Sequence, residues 1–136
     1  MKLLLDSNVI VAAFAARGIC SALFEYCVEN HELVLCAAMP DEVERALVRK
    51  VGVPRAIVRD TLTYLRDEAI MVLPSEIEPG VCRDKSDLAV LGAAVAGDCD
   101  FIITGDRDLL SLGSQAGVQI VCTRAFWEKM RRGKGA

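Results

Sequence analysis

Apolar residues fall in short runs separated by stretches in which they recur every three to four positions, a pattern that predicts strands alternating with helices. Residues 2–5 (KLLL) read as a short buried strand, and a helix over 9–16 follows with Ser7 and Asn8 as cap candidates. Gly18 punctuates the chain before a helix over 19–30, in which Ile19, Leu23, Tyr26 and Cys27 share a face. Strand 32–36 (ELVLC) comes next. Pro40 suits the first position of another helix, with Asp41 and Glu42 in its first turn and Gly52 past its end. Pro54 opens a helix over 55–69 with an apolar stripe of Ile57, Leu62, Leu65 and Ala69.

The second half repeats the alternation. A strand over 70–74, an irregular connection over 75–85, and a strongly apolar helix opened by Asp87 and closed by Gly97 lead to a strand over 101–104. A turn and short helix over 105–113, a strand over 118–122 and a final helix over 123–132 capped by Thr123 complete the chain. None of the strands alternates apolar with polar, so both faces of the sheet are expected to be covered. The fold class is α/β: a three-layer α/β/α arrangement around a mainly parallel sheet of four or five strands. Its 136 residues fit a single domain, 1–136, with no repeat or linker.

Apolar residues make up 53% and charged ones 26%, which excludes a disordered chain. The longest apolar runs are broken by Asp, Glu or Arg, so no membrane span is expected. Asp6 and Asn8 interrupt the N-terminal run in the same way, which reads as strand and helix rather than a secretory leader. The six cysteines include no CxxC pair and lie mostly in apolar runs, as reduced core thiols of a cytoplasmic protein would. The single histidine, His31, stands at a helix-to-strand junction and suits a loop or capping role, which leaves a Ser-His-Asp triad resting on one residue. A net charge of −3 gives no global attraction to nucleic acid. Locally, the tail residues Arg131, Arg132 and Lys134 and the series Arg45, Arg49, Lys50, Arg55, Arg59 and Arg66 could form basic surfaces or simply solvated helix faces.

Four acids stand out by position: Asp6 after LLL, Glu42 after LVLCAAMP, Asp87 after CRDKS, and Asp106 after FIITG. The carboxyl ends of parallel strands and the first turns of the following helices line one edge of an α/β sheet, where such folds bind ligands. Helix-dipole stabilisation alone would account for Glu42 and Asp87. It does not account for Asp6, whose carboxylate follows three leucines at the end of a buried strand, or for Asp106, which repeats the arrangement. Carboxylates gathered there repel unless a cation sits among them, and an all-oxygen set suits Mg2+ or Mn2+.

Together, DSN (6–8), the acidic pair Asp41 and Glu42, DKSD (84–87) before LAVLGAAVAG, and ITGDRDLL (103–110) resemble the PIN domain family, most of all the VapC-like toxins of type II toxin-antitoxin systems. The resemblance spans almost the whole chain. It implies a Mg2+- or Mn2+-dependent endoribonuclease with catalytic acids Asp6, Glu42, Asp87 and Asp106, of which Asp6, Asp87 and Asp106 hold metal. By the same carry-over Asn8 and Thr104 are supporting polar groups, and Asp84 and Asp108 outer acids. Asp84-Lys85-Ser86-Asp87 departs from the frequent Asp-Pro-x-Asp, which leaves the choice between Asp84 and Asp87 open, and Ser7 stands where Thr is frequent. Arg107, Arg131 and Arg132 are the candidates for holding RNA backbone.

The expected partners are an RNA substrate, a small antitoxin that fills the acidic groove, and a second copy of the chain through the helices around 9–27 and 55–69. Three other readings stay open: a housekeeping RNA-processing nuclease, a PIN-like binding module without activity, and a phosphatase with Asp6 as nucleophile. The last normally has a second Asp two residues on, where this chain has Asn8.

Overall fold

Leu3, Leu4 and Leu5 are all completely buried, so the strand that they form has no solvent face and belongs in the middle of a sheet. The structure, a computed structural model, describes residues 1–15 and 18–135. Its strands are β1 (Lys2–Leu5), β2 (Glu32–Cys36), β3 (Ala69–Val72), β4 (Phe101–Ile103), β5 (Ser114–Gln115) and β6 (Val118–Val121). Its helices are α1 (Ser7–Ala15), α2 (Ile19–Asn30), α3 (Met39–Ala46), α4 (Arg55–Glu68), α5 (Lys85–Ala96), α6 (Arg107–Leu112) and α7 (Thr123–Gly135). The sheet runs β3-β2-β1-β4-β6-β5, parallel except for β5 against β6. Helices cover it in the three-layer α/β/α manner, with α5 lying across β1, β2 and β4. The expected end of α1 at residue 16 and the side chains of Ile19 and Lys134 lie outside the described residues.

The element boundaries differ from expectation where local bonding overrides pattern. Helix α1 starts at Ser7 because the Asp6 carbonyl accepts from Val9 N at 3.0 Å and Ile10 N at 3.2 Å, which puts Asp6, not Ser7 or Asn8, in the capping position. Helix α5 starts at Lys85 and is capped by Asp84, whose Oδ1 accepts from Ser86 N at 2.8 Å. Asp87 is therefore a first-turn residue. Cys122 rather than Thr123 precedes α7, its Sγ 3.5 Å from Ala125 N. Helix α3 continues into one wider π turn, Leu47–Val51, before ending at Gly52. On α4 the buried stripe is Val58, Leu62 and Leu65, at i, i+4 and i+7, whereas Ile57 is 55% exposed.

Gly97 does close α5, but with an ordinary right-handed φ of −86°. A side chain there would drive its Cβ to 2.6 Å from Cγ1 of buried Val34, so close packing on β2 is what requires the glycine. The sixth strand was not expected. It arises from a two-residue hairpin in which Ala116 (φ 53°) and Gly117 (φ 83°) both take left-handed conformations, the turn that suits the twist of paired strands. Ala-Gly lacks the Asn-Gly or Asp-Gly pattern by which such turns are read from sequence.

His31 caps α2, its N–H donating to Cys27 O at 2.9 Å. At the same end of the sheet Phe126 of α7 stacks edge-on against Phe101 (5.5 Å between centroids), and Trp127 against Tyr26 (5.2 Å). Helix α7 thus leaves the carboxyl edge at Thr123 and quickly reaches the amino edge.

Candidate active site

Strand order reverses at β1: the chain builds β2 and β3 to one side, then returns to lay β4 and β6 on the other. The connections leaving β1 and β4 therefore diverge and open a crevice at their carboxyl ends, the place where open α/β sheets bind ligands. Asp6 follows β1 and Asp106 follows β4, so both stand at this crevice.

One hydroxyl joins them. Thr104, fully buried, donates from Oγ1 to Asp6 Oδ2 at 2.8 Å and accepts from Asp106 N at 3.0 Å. Ser7 makes a second link: its Oγ lies 2.8 Å from Glu42 Oε2 and 3.4 Å from Asp6 Oδ1. A hydroxyl has one proton to give. The shorter contact takes it, which fixes Glu42 and leaves Asp6 Oδ1 the less satisfied oxygen. Asp106 spends Oδ1 on capping α6, accepting from Asp108 N at 2.8 Å and Leu109 N at 3.2 Å.

Asp87 is 5% exposed, and its Oδ2 is buried with no hydrogen-bond partner. Its carboxyl is pushed up to about 6, first by loss of solvent and then by the negative charges of Asp106, Asp84, Asp6 and Asp108. Those causes place Asp87 among the other acids, whereas Asp84 is exposed and held below the usual carboxylate range by the hydroxyl and N–H of Ser86. The geometry thus separates the two members of DKSD: Asp84 caps, Asp87 faces the cluster.

Asp87, Asp106 and Asp108 each offer an oxygen within 4.8 Å of the others. This trio differs from the metal set inferred by resemblance, since Asp108 stands in it and Asp6 is turned toward Thr104 and Ser7. Asp108 also meets Arg83 at 3.5 Å on the surface. Three carboxylates, one with a buried oxygen that has no donor, fit a hard divalent cation. Cys82, buried nearby, has its thiol pushed up by desolvation and by the same acids.

Arg107, exposed at the start of α6, shares this edge. Arg131 and Arg132 do not. They follow Phe126 and Trp127 toward the amino edge, where Arg131 lies beside Tyr26 and Met130. Asn8 lies along a 370 Å³ cleft that also borders Thr104, Gly105, Thr123 and Arg124. Sequence reasoning passed over Ser7 as a linking hydroxyl and Arg124 as a cation at the crevice. The hydroxyl directly after Asp6 was the only legible sign of the first, and nothing local marked the second.

Residues 2–108 match the PIN domain family. The chain belongs to this family, whose members are generally nucleases. Among solved structures, a chain of VapBC2 from Rickettsia felis bound to a DNA fragment from their promoter has a similar fold, with a TM-score of 0.61 at 11% identity, covering 90% of this chain and 98% of that one. No curated protein matches the sequence.

Proposed function

We propose that this chain is a Mg2+- or Mn2+-dependent endoribonuclease and the toxin of a toxin-antitoxin pair. The observation that carries the nuclease reading is that Asp87, whose Oδ2 is buried without a hydrogen-bond partner, brings a carboxylate oxygen within 4.8 Å of oxygens of Asp106 and Asp108. An unsatisfied carboxylate oxygen at a ligand-binding edge is a strained arrangement that a cation relieves. When bound, the cation would neutralise substrate phosphate and acidify a water molecule enough to supply the nucleophile near neutral pH.

The chain's own part is positioning. Asp87, Asp106 and Asp108 would hold the ion, and the α6 capping bonds fix Asp106 so that Oδ2 is the oxygen left to do so. Asp6, oriented by Thr104, has Oδ1 as its less satisfied oxygen and would accept a proton there. Glu42, steered by Ser7, stands beside Asp6 as the fifth acid. Arg107 would pair with a flanking phosphate. The single histidine caps α2 near Met1, consistent with chemistry that needs no imidazole.

The toxin reading rests on the family and on likeness of fold to the VapBC2 structure. Its proposed partners are RNA, a small antitoxin and a second copy of the chain. Exposed Ile57 and Tyr64 on α4 lie within one of the two surfaces expected for such contacts. The test is to incubate purified protein with structured and single-stranded RNA, with metal or chelator, and to map product ends. The expected result is metal-dependent cleavage leaving 5′-phosphate and 3′-hydroxyl. Cyclic phosphate ends, or cleavage that persists in chelator and in Asp6→Asn, would refute the mechanism. Growth arrest on expression, relieved by a neighbouring small gene product, tests the toxin assignment.

A further inference from the structure

The cleft between α1 and the start of α7 adjoins the acids but contains none of them. We propose that it receives one unpaired nucleobase next to the scissile phosphate; this rests on the ribonuclease reading above. Its walls are largely apolar, from Val9, Ala12, Cys20 and Cys122, and its polar groups are few: the exposed Asn8 carboxamide, Thr123 and Arg124. That is the chemistry of a base, flat and apolar on its faces and polar only at its edge. A phosphate would find a single cation there. The volume of 370 Å³ suits a small ligand and excludes a duplex.

Continuity with the acids gives the pocket its register. Thr104 borders the cleft and is the residue whose hydroxyl holds both Asp6 and Asp106, so a base seated there leaves its own phosphate at the carboxylates. Arg124 at the rim would meet the next phosphate along. Single-stranded nucleic acids are read in this way, by bases splayed out of the stack into pockets while the backbone follows cations. The pocket would make the enzyme prefer looped or single-stranded RNA and choose among bases at one position.

Ala12 is exposed at the cleft, so Ala12→Leu fills it without disturbing the core. Two readouts are needed. The first is binding of a single-stranded RNA oligonucleotide to Asp6→Asn protein, with and without Ala12→Leu, and with one abasic site moved along the strand. We expect about tenfold weaker binding from Ala12→Leu, and the same loss from one abasic position with no further loss on combining the two. The second compares wild type and Ala12→Leu on RNA and on bis(p-nitrophenyl) phosphate, which has no base. RNA cleavage should fall through KM while turnover of the small diester holds. Loss of both activities together, or unchanged RNA binding, overturns the pocket and leaves the nuclease intact. Failure of the wild type to bind RNA at all overturns both.

Discussion

Thr104 Oγ1 donates to Asp6 Oδ2 at 2.8 Å, and through this bond the strand ends on either side of the sheet's switch point are locked together. Both residues are buried, so nothing else supplies that donor. Thr104→Val should destabilise the protein by about 1–3 kcal/mol, the range for leaving a buried acceptor unpaired. It should also lower activity roughly 10- to 100-fold, as loss of an orienting partner does. Thr104→Ser should restore both. Urea unfolding with steady-state assays checks this, and a silent Thr104→Val would remove the positioning role.

Asp87 contributes a distinct pH dependence to the metal-free protein. Its carboxyl is raised to about 6, above its unfolded value, so its contribution is fully favourable below the unfolded value near 3.8 and is lost as pH rises through about 6. Melting in chelator should therefore show stability falling between about pH 4 and pH 7, by up to roughly 2–3 kcal/mol. Asp87→Asn should flatten that dependence and abolish nuclease activity while leaving the metal-free protein at least as stable at pH 7. Unfolding of the variant would make Asp87 structural.

Gly92 lets α5 meet the strap after β3. A Cβ there would collide with the Ser75 carbonyl oxygen and come within 2.9 Å of Pro74 Cβ, and Ser75 N already donates to Gly92 O at 2.9 Å. Gly92→Ala should cost about 1–3 kcal/mol, the usual range for overpacking, despite alanine's better helix propensity. A thermal melt that shifts upward would show that the strap yields freely.

Thiol chemistry should divide the cysteines. Burial pushes Cys27 and Cys99 up to about 12, so neither supplies thiolate at neutral pH. Cys20 and Cys122 are half-buried along the cleft beside Thr104. Iodoacetamide on the native protein should label these two first, and labelling should inhibit RNA cleavage by obstruction. Cys→Ser at either position should keep activity. Mass spectrometry without reductant should find all six thiols free, as in the structure.

The basic residues should separate by edge. Arg107→Ala, beside Asp106, should weaken RNA binding and reduce the salt slope by about one. Arg131→Ala with Arg132→Ala should change cleavage little, because α7 carries both toward the opposite end of the sheet. Titrations at several salt concentrations decide this; a larger effect from the pair would mean that RNA wraps around α7.

By itself, the sequence determined the elements and the edge. Short apolar runs such as LLL and FII suit strands buried on both faces, and a carboxylate that follows such a strand stands at the carboxyl edge. Asp6, Asp106 and the first-turn acids Glu42 and Asp87 were legible for that reason. What needed tertiary structure was everything that depends on side-chain direction. Only the fold shows that Asp84 turns its carboxylate back to cap α5 while Asp87 buries one oxygen with no donor, although both lie within four residues. Only the fold carries Asp108 into the metal-ready trio and carries Arg131 and Arg132 away from it. It alone pairs β5 with β6 through a turn that Ala116 does not advertise. The pattern of a chain specifies which face a residue prefers; which partners it meets there is decided by strand order and packing between segments far apart in sequence.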